Sequence, residues 1–473
     1  MSSIHTTPSQ SDHLVQILPP QEGGSGGRSP SKTKPKVGLL TCIFLVMAIM
    51  VGNGIYTSLG MQLLNISSGF TILSLWALGG ICALCGALSY AELASLMPHS
   101  GGEYYYLSKI YHPALGTMAG FIAQIAGFIA PISLASMAFG KYLQAFFPST
   151  NPMVSSMVLV TVITGMHLVT LGFSAVFQDI ITGLKFLLIG VILYLGLRHA
   201  TISPTIFLPS MVGMKELFSP SSGVALIFCF YAYSGWNSST YIADDVTSSH
   251  RTVGRSLVIG AILVIVIYML MNAIFLMAAP VGELRGVLDV GRVVATHLLG
   301  QEGGRMMTVM IAFGLVAGVS AMVWVGPHIT QMMGRDLPAL RWLAPVSKGN
   351  VPLHAMLIQY ILVMILLSTG AFKMVLVATQ FPIIFCEFLG VIGVIVLRFQ
   401  HRKIYDPSIP KKDRQGFRCP LYPLPPLFFA VISIMALTYT TITNPLEGIV
   451  GIALIIIAIA LYPLLHRENA IEE

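Results

Sequence analysis

Charged residues are scarce in this sequence. Lys, Arg, Asp and Glu make up 10% of the 473 residues, whereas 55% are hydrophobic and the mean hydropathy is +0.80. Soluble globular domains hold about a quarter charged residues, so this balance excludes a soluble protein. The net charge of +7 is therefore not evidence of nucleic-acid binding, and we expect the chain to lie in a lipid bilayer.

Cysteine is also scarce. The six cysteines form no spaced set that indicates a disulfide framework. Cys82 and Cys85 form a C-x-x-C pair, but no second pair or histidine cluster completes a zinc site, so the pair favours helix packing. No Ser/His/Asp set or H-E-x-x-H motif stands at membrane depth either. We predict no metal, no cofactor and no enzymatic activity.

Long apolar runs, in contrast, are abundant. A helix that crosses a bilayer core needs about 20 apolar residues. Runs of adequate length cover 38–64, 70–96, 114–147, 153–173, 180–197, 223–242, 257–281, 306–325, 353–369, 372–397, 424–443 and 446–465. The sequence predicts an all-α membrane protein with twelve transmembrane helices.

The distribution of positive charge predicts the orientation. If the N-terminus lies inside, most of the 26 Lys and Arg residues fall in inner segments, including a basic cluster over 398–418. Inner loops of membrane proteins carry such an excess, so both termini are expected in the cytoplasm, with the protein in the plasma or inner membrane. The polar segment 1–36 is expected to be a disordered cytoplasmic tail rather than a signal peptide.

Two of the runs contain residues that interrupt a helix. Gly52, Asn53 and Gly54 interrupt the first run, and Ser234 and Gly235 interrupt the sixth. Non-helical backbone at membrane depth survives only inside protein or beside a wet cavity. Breaks at corresponding positions of two halves indicate an inverted-repeat secondary transporter. We therefore predict repeats over 37–200 and 201–400, followed by a loop, two added helices and a short tail over 401–473.

Four motifs in order carry a resemblance to a known family: GNGIY (52–56), YAELASLMPHSGGEYYYLSKIYHP (90–113), FYAYSGWN (230–237) and GRDLP (334–338). With these motifs the chain resembles the amino acid–polyamine–organocation superfamily, most of all the L-type and related amino acid permeases. The resemblance implies a leucine-transporter-like fold, with a 5+5 inverted repeat plus two additional helices. It also implies transport of amino acids by alternating access.

The breaks offer the groups that an α-amino acid needs. Free N–H groups and a positive helix end at the first break suit the substrate carboxylate. The predicted donors are Gly52, Asn53, Gly54 and Ile55. Unpaired carbonyls suit the substrate ammonium, and the predicted acceptors are Met50, Tyr231, Ala232 and Ser234. Tyr231 matches the family's aromatic gate, Trp236 is a second gate candidate, and Asn237 is a further possible site residue.

Two charges lie within predicted spans, where charge is costly. Lys185 either snorkels to the inner surface or, by resemblance, replaces the sodium ion of related carriers. In the second case it tethers the first span to the eighth near Ser320, and it is also a candidate proton carrier. Glu387, in the tenth run, is a packed neutral acid, a coupling site or a counter-charge for cationic substrates.

Three other residues have open roles. Tyr268 and Asn272 share one helix face at i and i+4. Tyr268 matches a family tyrosine near the substrate path, with helix packing as the alternative. Glu103 either caps the following helix or forms an inner latch to Arg251 or Arg335. No charged residue adjoins the breaks in sequence, which favours neutral substrates.

We therefore expect a sodium-independent carrier of neutral amino acids, either an exchanger or a proton-linked symporter. The alternatives are a non-transporting amino acid receptor on the same fold and a carrier of cationic amino acids or polyamines. The predicted outer loop 148–152 has no cysteine to link a heavy chain. We therefore expect a stand-alone carrier with no obligatory heavy-chain partner.

Overall fold

A computed structural model describes residues 37–52, 54–199, 203–287, 289–369, 372–400, 416–443 and 445–466. Asn53, the predicted tail 1–36 and the basic residues 402–414 lie outside the described residues. The described chain is helical, apart from its connections and an isolated bridge between Val37 and Val246. This confirms the all-α prediction.

Within the described residues, the first half of the chain contains nine α-helices, most of them in the predicted apolar runs. They are α1 (Leu39–Met50), α2 (Gly54–Gln62), α3 (Gly69–Leu96), α4 (Glu103–Ile110), α5 (Pro113–Ile122), α6 (Ala130–Phe146), α7 (Pro152–His167), α8 (Leu171–His199) and α9 (Met211–Leu217). A π-helical turn, Ala123–Ile129, joins α5 and α6 into one continuous rod. A short 3₁₀ turn, Pro204–Phe207, precedes α9.

The second half begins with the other interrupted span. Its helices are α10 (Pro220–Tyr233), α11 (Ser249–Ala278), α12 (Val281–Leu284), α13 (Val290–Asp336), α14 (Leu353–Thr369), α15 (Phe372–Gln400), α16 (Leu424–Thr443) and α17 (Pro445–His466). Two 3₁₀ segments, Ser238–Asp245 and Pro338–Leu343, follow α10 and α13. Gly300, with φ of 71°, kinks α13 near its start.

The helices include most of the spans that the sequence predicts. Within the described residues, nine helices are long and apolar enough to cross a membrane, or ten if the bent pair Met211–Leu217 and Pro220–Asp245 counts as one span. Two shorter apolar helices, α7 and α14, have 16 and 17 residues. The chain is an integral, multi-pass membrane protein.

Burial is arranged for a lipid environment. Helix α11 packs along α1 and α3, and the residues around both breaks belong to the principal core cluster. Large apolar side chains point outward, with Val176, Leu187 and Ile456 each at least 60% exposed. Such a surface is stable against lipid tails but not against water. We call the end of the bundle that holds Val37 and helix α4 the inner end, following the orientation predicted from the sequence.

Candidate functional site

The two interrupted spans meet at their breaks. A Cβ atom added to Gly54, the first residue of α2, would lie 2.9 Å from Ala232 Cα. A Cβ atom on Gly235 would lie 2.5 Å from Ile49 Cγ2, and Gly235 has φ of 96°. Only glycine adopts that conformation without strain. Each break therefore supplies the glycine that lets the other backbone approach.

Tyr268 of α11 joins the two breaks. Its hydroxyl lies 2.6 Å from the carbonyl oxygen of Met50 and 2.9 Å from that of Ala232. Both carbonyls are predicted ammonium acceptors, and they share this donor. The Met50 oxygen also accepts a hydrogen bond from the Gly52 N–H, so the Ala232 oxygen is the one that keeps a second lone pair for a ligand. Asn272 lies one turn further along and donates to the Tyr268 carbonyl at 2.8 Å.

The predicted carboxylate donors fall into two groups. The N–H of Gly52 donates to the Met50 carbonyl at 2.9 Å, so this group is already paired. Gly54 and Ile55 open helix α2, where the first N–H groups have no acceptor within the helix. Both residues are buried, so these N–H groups face the protein interior. Asn53 lies outside the described residues.

The two gate candidates have different surroundings. Tyr231 lines a cavity between α3, α10, α15 and α16. Trp236 lines the same cavity, but it is 2% exposed and packs edge-on against Tyr90 at 4.8 Å and Phe429 at 5.7 Å. Trp236 is held between two neighbouring helices, whereas the Tyr231 side chain is only partly buried.

Lys185 of α8 reaches the end of α1. Its Nζ donates to the carbonyl of Ala48 at 3.3 Å and also to that of Val51. Carbonyls at a helix C-terminus attract a positive charge, so the ammonium group caps the first half of the broken span. The side chain points to the breaks and not to the inner surface.

Ser320 belongs to a different network. His167 Nε2 lies 2.8 Å from the Ser320 hydroxyl, which donates to Gln178 at 2.7 Å. Among the described residues, Lys185 and Ser320 form no hydrogen bond, so the predicted tether between them is not present. The Lys185 side chain does lie close to α13 at Gly314. The sequence did not predict a role for the buried His167, because a single histidine in an apolar run forms no recognisable motif.

Two cavities lie on either side of the sixth span. The first, of about 60 Å³, is bounded by α1, the π-helical turn, the second break and α15. The second, of about 130 Å³, is the one lined by Tyr231. Ser234 and Glu387 line both cavities. The break in the sixth span therefore stands between two small internal spaces, each large enough to hold a few water molecules.

Glu103 adds a charge beside the second break. It is 2% exposed, and its carboxylate accepts hydrogen bonds from Asn237 and, at 2.5 Å, from the Tyr241 hydroxyl. The predicted latch from Glu103 to Arg251 or Arg335 is wrong. The Glu103 carboxylate is bound by Asn237 and Tyr241 instead. The expectation that no charge adjoins the breaks is also wrong in space, since Lys185 and Glu103 both reach them from distant segments.

The inner end of the bundle is tied shut by polar contacts. Asp244, near the end of the 3₁₀ segment that follows α10, pairs with Arg335 at 3.2 Å and with His99 at 3.3 Å. The N–H of Val37 donates to the Asp245 carbonyl at 2.8 Å, and His328 lies 3.0 Å from the Asp245 carboxylate. These contacts join the start of the first span to the ends of the sixth and eighth.

The outer end holds an open cleft. A space of about 470 Å³ is lined by Thr57 of α2, Lys141 of α6 and, before and within α13, Asp289 and Arg292. Burial raises the pKa of the Asp289 carboxyl above its usual range, although the Arg292 backbone N–H donates to it. The cleft lies beside the second half of the broken first span.

No set of three or more His, Cys, Asp or Glu side chains that could hold a metal ion occurs within the described ranges. The arrangement at the breaks instead suits a small zwitterion: donors at α2, carbonyl acceptors at α1 and α10, and flanking cavities.

Known proteins share this sequence pattern. The model of the amino acid permease family matches residues 37–464. The chain is 26% identical to the large neutral amino acids transporter small subunit 2 of Homo sapiens, over 93% of this chain and 82% of that protein. It is 24% identical to the b(0,+)-type amino acid transporter 1 of Mus musculus, over 79% and 78%. It is 25% identical to the Asc-type amino acid transporter 1 of Homo sapiens, over 91% and 82%.

These relatives correct one prediction. The first of them is named as a small subunit, so it belongs to a transporter built from more than one kind of subunit. The expectation of a carrier with no obligatory partner is therefore wrong. The missing cysteine in one outer loop bears only on a covalent link and never excluded a non-covalent one.

The family model covers both breaks, the inner connection that contains Glu103 and nearly all of the helices. Its members are transporters, which confirms that the chain is not an enzyme. The resemblance in the four sequence motifs is confirmed as well: this chain belongs to the amino acid permease family.

Proposed function

We propose that the chain is a secondary active carrier that moves neutral amino acids across the membrane by alternating access. The observation that carries this proposal is the meeting of two helix breaks at one point, bridged by the Tyr268 hydroxyl. Broken helices at the midplane are where inverted-repeat carriers bind their substrates. The names of the three relatives, all amino acid transporters, support the substrate class.

The two charged groups of the zwitterion bind at different parts of the two breaks. The substrate carboxylate binds the first N–H groups of α2, where the helix dipole favours an anion. The substrate ammonium binds the carbonyls of Met50, Ala232 and Tyr231, together with Ser234 at the end of α10. Because backbone groups bind both charged groups of the substrate, its side chain is free to extend into the adjoining cavities.

The proposed fold has twelve spans in two inverted repeats, 37–200 and 201–400, with two added helices. Ten spans follow from the long helices and the bent pair, and the shorter helices α7 and α14 supply the others. The breaks then fall in the first and the sixth span, the first of each repeat.

The described conformation suits an outward-facing carrier. The outer cleft beside α2 is open, whereas the contacts of Asp244 and Asp245 hold the inner end together. In transport, Tyr231 closes over the substrate from outside, and the inner contacts then separate. We place both termini in the cytoplasm and the carrier in the plasma membrane.

Transport is proposed to be independent of sodium. The Lys185 amino group occupies the space between α8 and the end of α1 and donates to the Ala48 and Val51 carbonyls. A sodium ion at the same carbonyls would have to displace it. The transport mode is proposed to be exchange, with proton symport as the alternative.

A second subunit is part of the proposal. The relative named as a small subunit supports it, and the outer loop 148–152 contains no cysteine. We expect the partner to be held by non-covalent contacts and to stay bound after reduction.

Uptake into proteoliposomes tests the proposal. Vesicles preloaded with unlabelled leucine should accumulate labelled leucine, with the same rate when choline replaces sodium. Binding without uptake would identify a receptor, and a requirement for sodium would refute the role given to Lys185. The partner subunit is supplied in parallel samples, so that a need for it is measured separately.

A further inference from the structure

The inner end of the bundle carries a basic cleft on its surface. A space of about 550 Å³ lies between α3, the start of α11 and the segment that leads into α16. His250, Arg251 and Arg255 line it, and within the described chain no Asp or Glu belongs to its wall. The cleft shares no lining residue with the two cavities at the breaks, so it is separate from the proposed substrate site.

The two arginines of this inner cleft have no protein partner among the described residues. Arg251 and Arg255 are both exposed, and neither side chain forms a hydrogen bond or an ion pair there. They stand at i and i+4 on one face of α11, where two like charges repel each other. Two adjacent guanidinium groups without an acid between them suit a phosphate group, which accepts hydrogen bonds from both.

The start of α11 adds to the positive potential. The helix begins at Ser249 and runs for 30 residues, so the positive end of its dipole lies beside both arginines. His250, in the first turn, brings a ring N–H donor to the same cleft. Side chains and helix end therefore favour an anion at one place.

Beyond the arginines, the same face of α11 is apolar. Val258 and Ile259 line the inner cleft. Ile262 and Val266 continue the face towards the middle of the helix, and their side chains are 44% and 50% exposed. Residues at these spacings share one side of a helix. A basic patch that leads into an exposed apolar stripe matches a molecule with an anionic head and a hydrocarbon tail.

The floor of the cleft is formed by close packing. A Cβ atom on Gly254 would lie 3.1 Å from the Ala91 Cβ atom, so α11 and α3 are in direct contact there. Leu88 of α3 and Phe417, before α16, complete the apolar wall. The cleft is therefore closed towards the core and open towards the surface.

The segments of this chain that lie outside the described residues do not match the charge of the cleft. Segment 401–415 holds five Lys and Arg residues against two Asp, and segment 1–36 holds four against two acidic residues. Both segments carry an excess of positive charge, so the basic cleft repels them. Charge complementarity favours an anion from outside the chain.

We propose that the inner cleft binds one anionic phospholipid of the inner leaflet. The lipid phosphate lies between Arg251 and Arg255, His250 donates to it, and an acyl chain follows α11 along Ile259 and Ile262. Basic pockets between helices on the inner side of a membrane attract anionic head groups in this way. The site lies apart from the breaks, so the inference goes beyond the proposed transport function and does not depend on it.

Native mass spectrometry of the purified protein in detergent tests the site. The wild type is titrated with dioleoyl phosphatidylglycerol, dioleoyl phosphatidylcholine or inorganic phosphate. Phosphatidylglycerol should bind about fivefold more tightly than phosphatidylcholine, because only the anionic lipid keeps a net charge for the arginines. The double variant Arg251→Gln/Arg255→Gln should lose about tenfold in affinity for phosphatidylglycerol and with it the preference.

Arg341→Gln is the matched control. Arg341 is an exposed arginine on the 3₁₀ segment that follows α13, outside the cleft, and this variant should bind both lipids as the wild type does. Equal binding of the two lipids by the wild type would refute the site, even if the double variant failed to fold. An equal loss in Arg341→Gln would show an effect of general surface charge and would also overturn it. Inorganic phosphate that binds as tightly as the lipid would contradict the role given to the apolar stripe and identify a site for free phosphate.

Discussion

At the scale of single residues, Tyr268 has the most consequential contacts. Its hydroxyl reaches carbonyls of both broken spans, although Met50 lies 218 positions away in the sequence. The side chain is fully buried among the helices. Because both carbonyls end helices at membrane depth, the hydroxyl replaces the water that would otherwise satisfy them.

Replacing Tyr268 by Phe should therefore reduce transport. The ring keeps its packing, but both buried carbonyls lose the hydroxyl donor, and only that of Met50 keeps another, the Gly52 N–H. Leaving a buried acceptor unpaired costs about 1–3 kcal/mol. We expect leucine uptake to fall about tenfold, since about 1.4 kcal/mol corresponds to a factor of ten. Tyr194→Phe is the control, because the Tyr194 side chain is 60% exposed. Equal uptake by the two variants would remove Tyr268 from the site.

Glu103 shows what residue-level reasoning could and could not predict. Its position beside the Gly101-Gly102 turn marked it as a candidate polar contact, but its partners were predicted among inner arginines. The partner Tyr241 lies 138 positions away. Sequence spacing carries no information about such a contact, since it depends on how the fourth helix packs against the sixth span.

At the scale of helices, the two breaks interlock through small residues. Gly54 faces Ala232, and Gly235 faces Ile49. The sequence predicted Gly54 as a place where a ligand approaches the backbone. The structure places the opposite backbone there, so the glycine is needed first for contact between the halves.

Replacing Gly54 by Ala tests this contact. The added methyl group would lie 2.9 Å from Ala232 Cα, and overpacking of this kind costs about 1–3 kcal/mol. The variant should insert into the membrane but unfold at a lower temperature in detergent and lose leucine binding. Gly190→Ala is the matched control, because a Cβ atom there meets nothing within 4 Å. Wild-type stability and binding in Gly54→Ala would contradict the interlock.

The third span contributes in a way that no pattern in the sequence indicates. The π-helical turn Ala123–Ile129 directs Ala123, Gly127 and Phe128 towards the first cavity. A π turn widens a helix by one residue and occurs frequently at functional sites. The apolar run itself looked like an uninterrupted helix, because the turn changes the hydrogen bonding but not the composition.

At the scale of the whole molecule, the two ends differ. The outer end has a cleft beside α2. At the inner end, contacts converge on Asp244 and Asp245, and a separate surface cleft is lined by His250, Arg251 and Phe417. Salt bridges that are partly exposed contribute about 0.2–1 kcal/mol each. Such weak contacts can hold one state without preventing the change to the other.

Replacing Asp244 by Asn should shift the carrier towards an inner-open state. The change removes a charge that pairs with both Arg335 and His99. We expect hydrogen–deuterium exchange of the backbone amides at 238–247 to become a few times faster. Glu302→Gln, which breaks the exposed pair with Arg305, should leave this exchange unchanged. No difference between the two variants would show that Asp244 does not stabilise the closed inner end.

The sequence by itself determined that the chain lies in lipid, where most of its helices are, and to which family it belongs. Long apolar runs require lipid, the glycines at 52–54 and 235 require breaks, and the four motifs identify a permease, because each property is local along the chain. The helices α7 and α14 are close to the minimum length of a transmembrane span, and length and hydropathy alone do not decide whether they cross the membrane. The tertiary structure decided which groups meet at the breaks. Tyr268, Lys185, Glu103 and Glu387 come from four separate helices, and only packing of those helices brings their polar groups to one place.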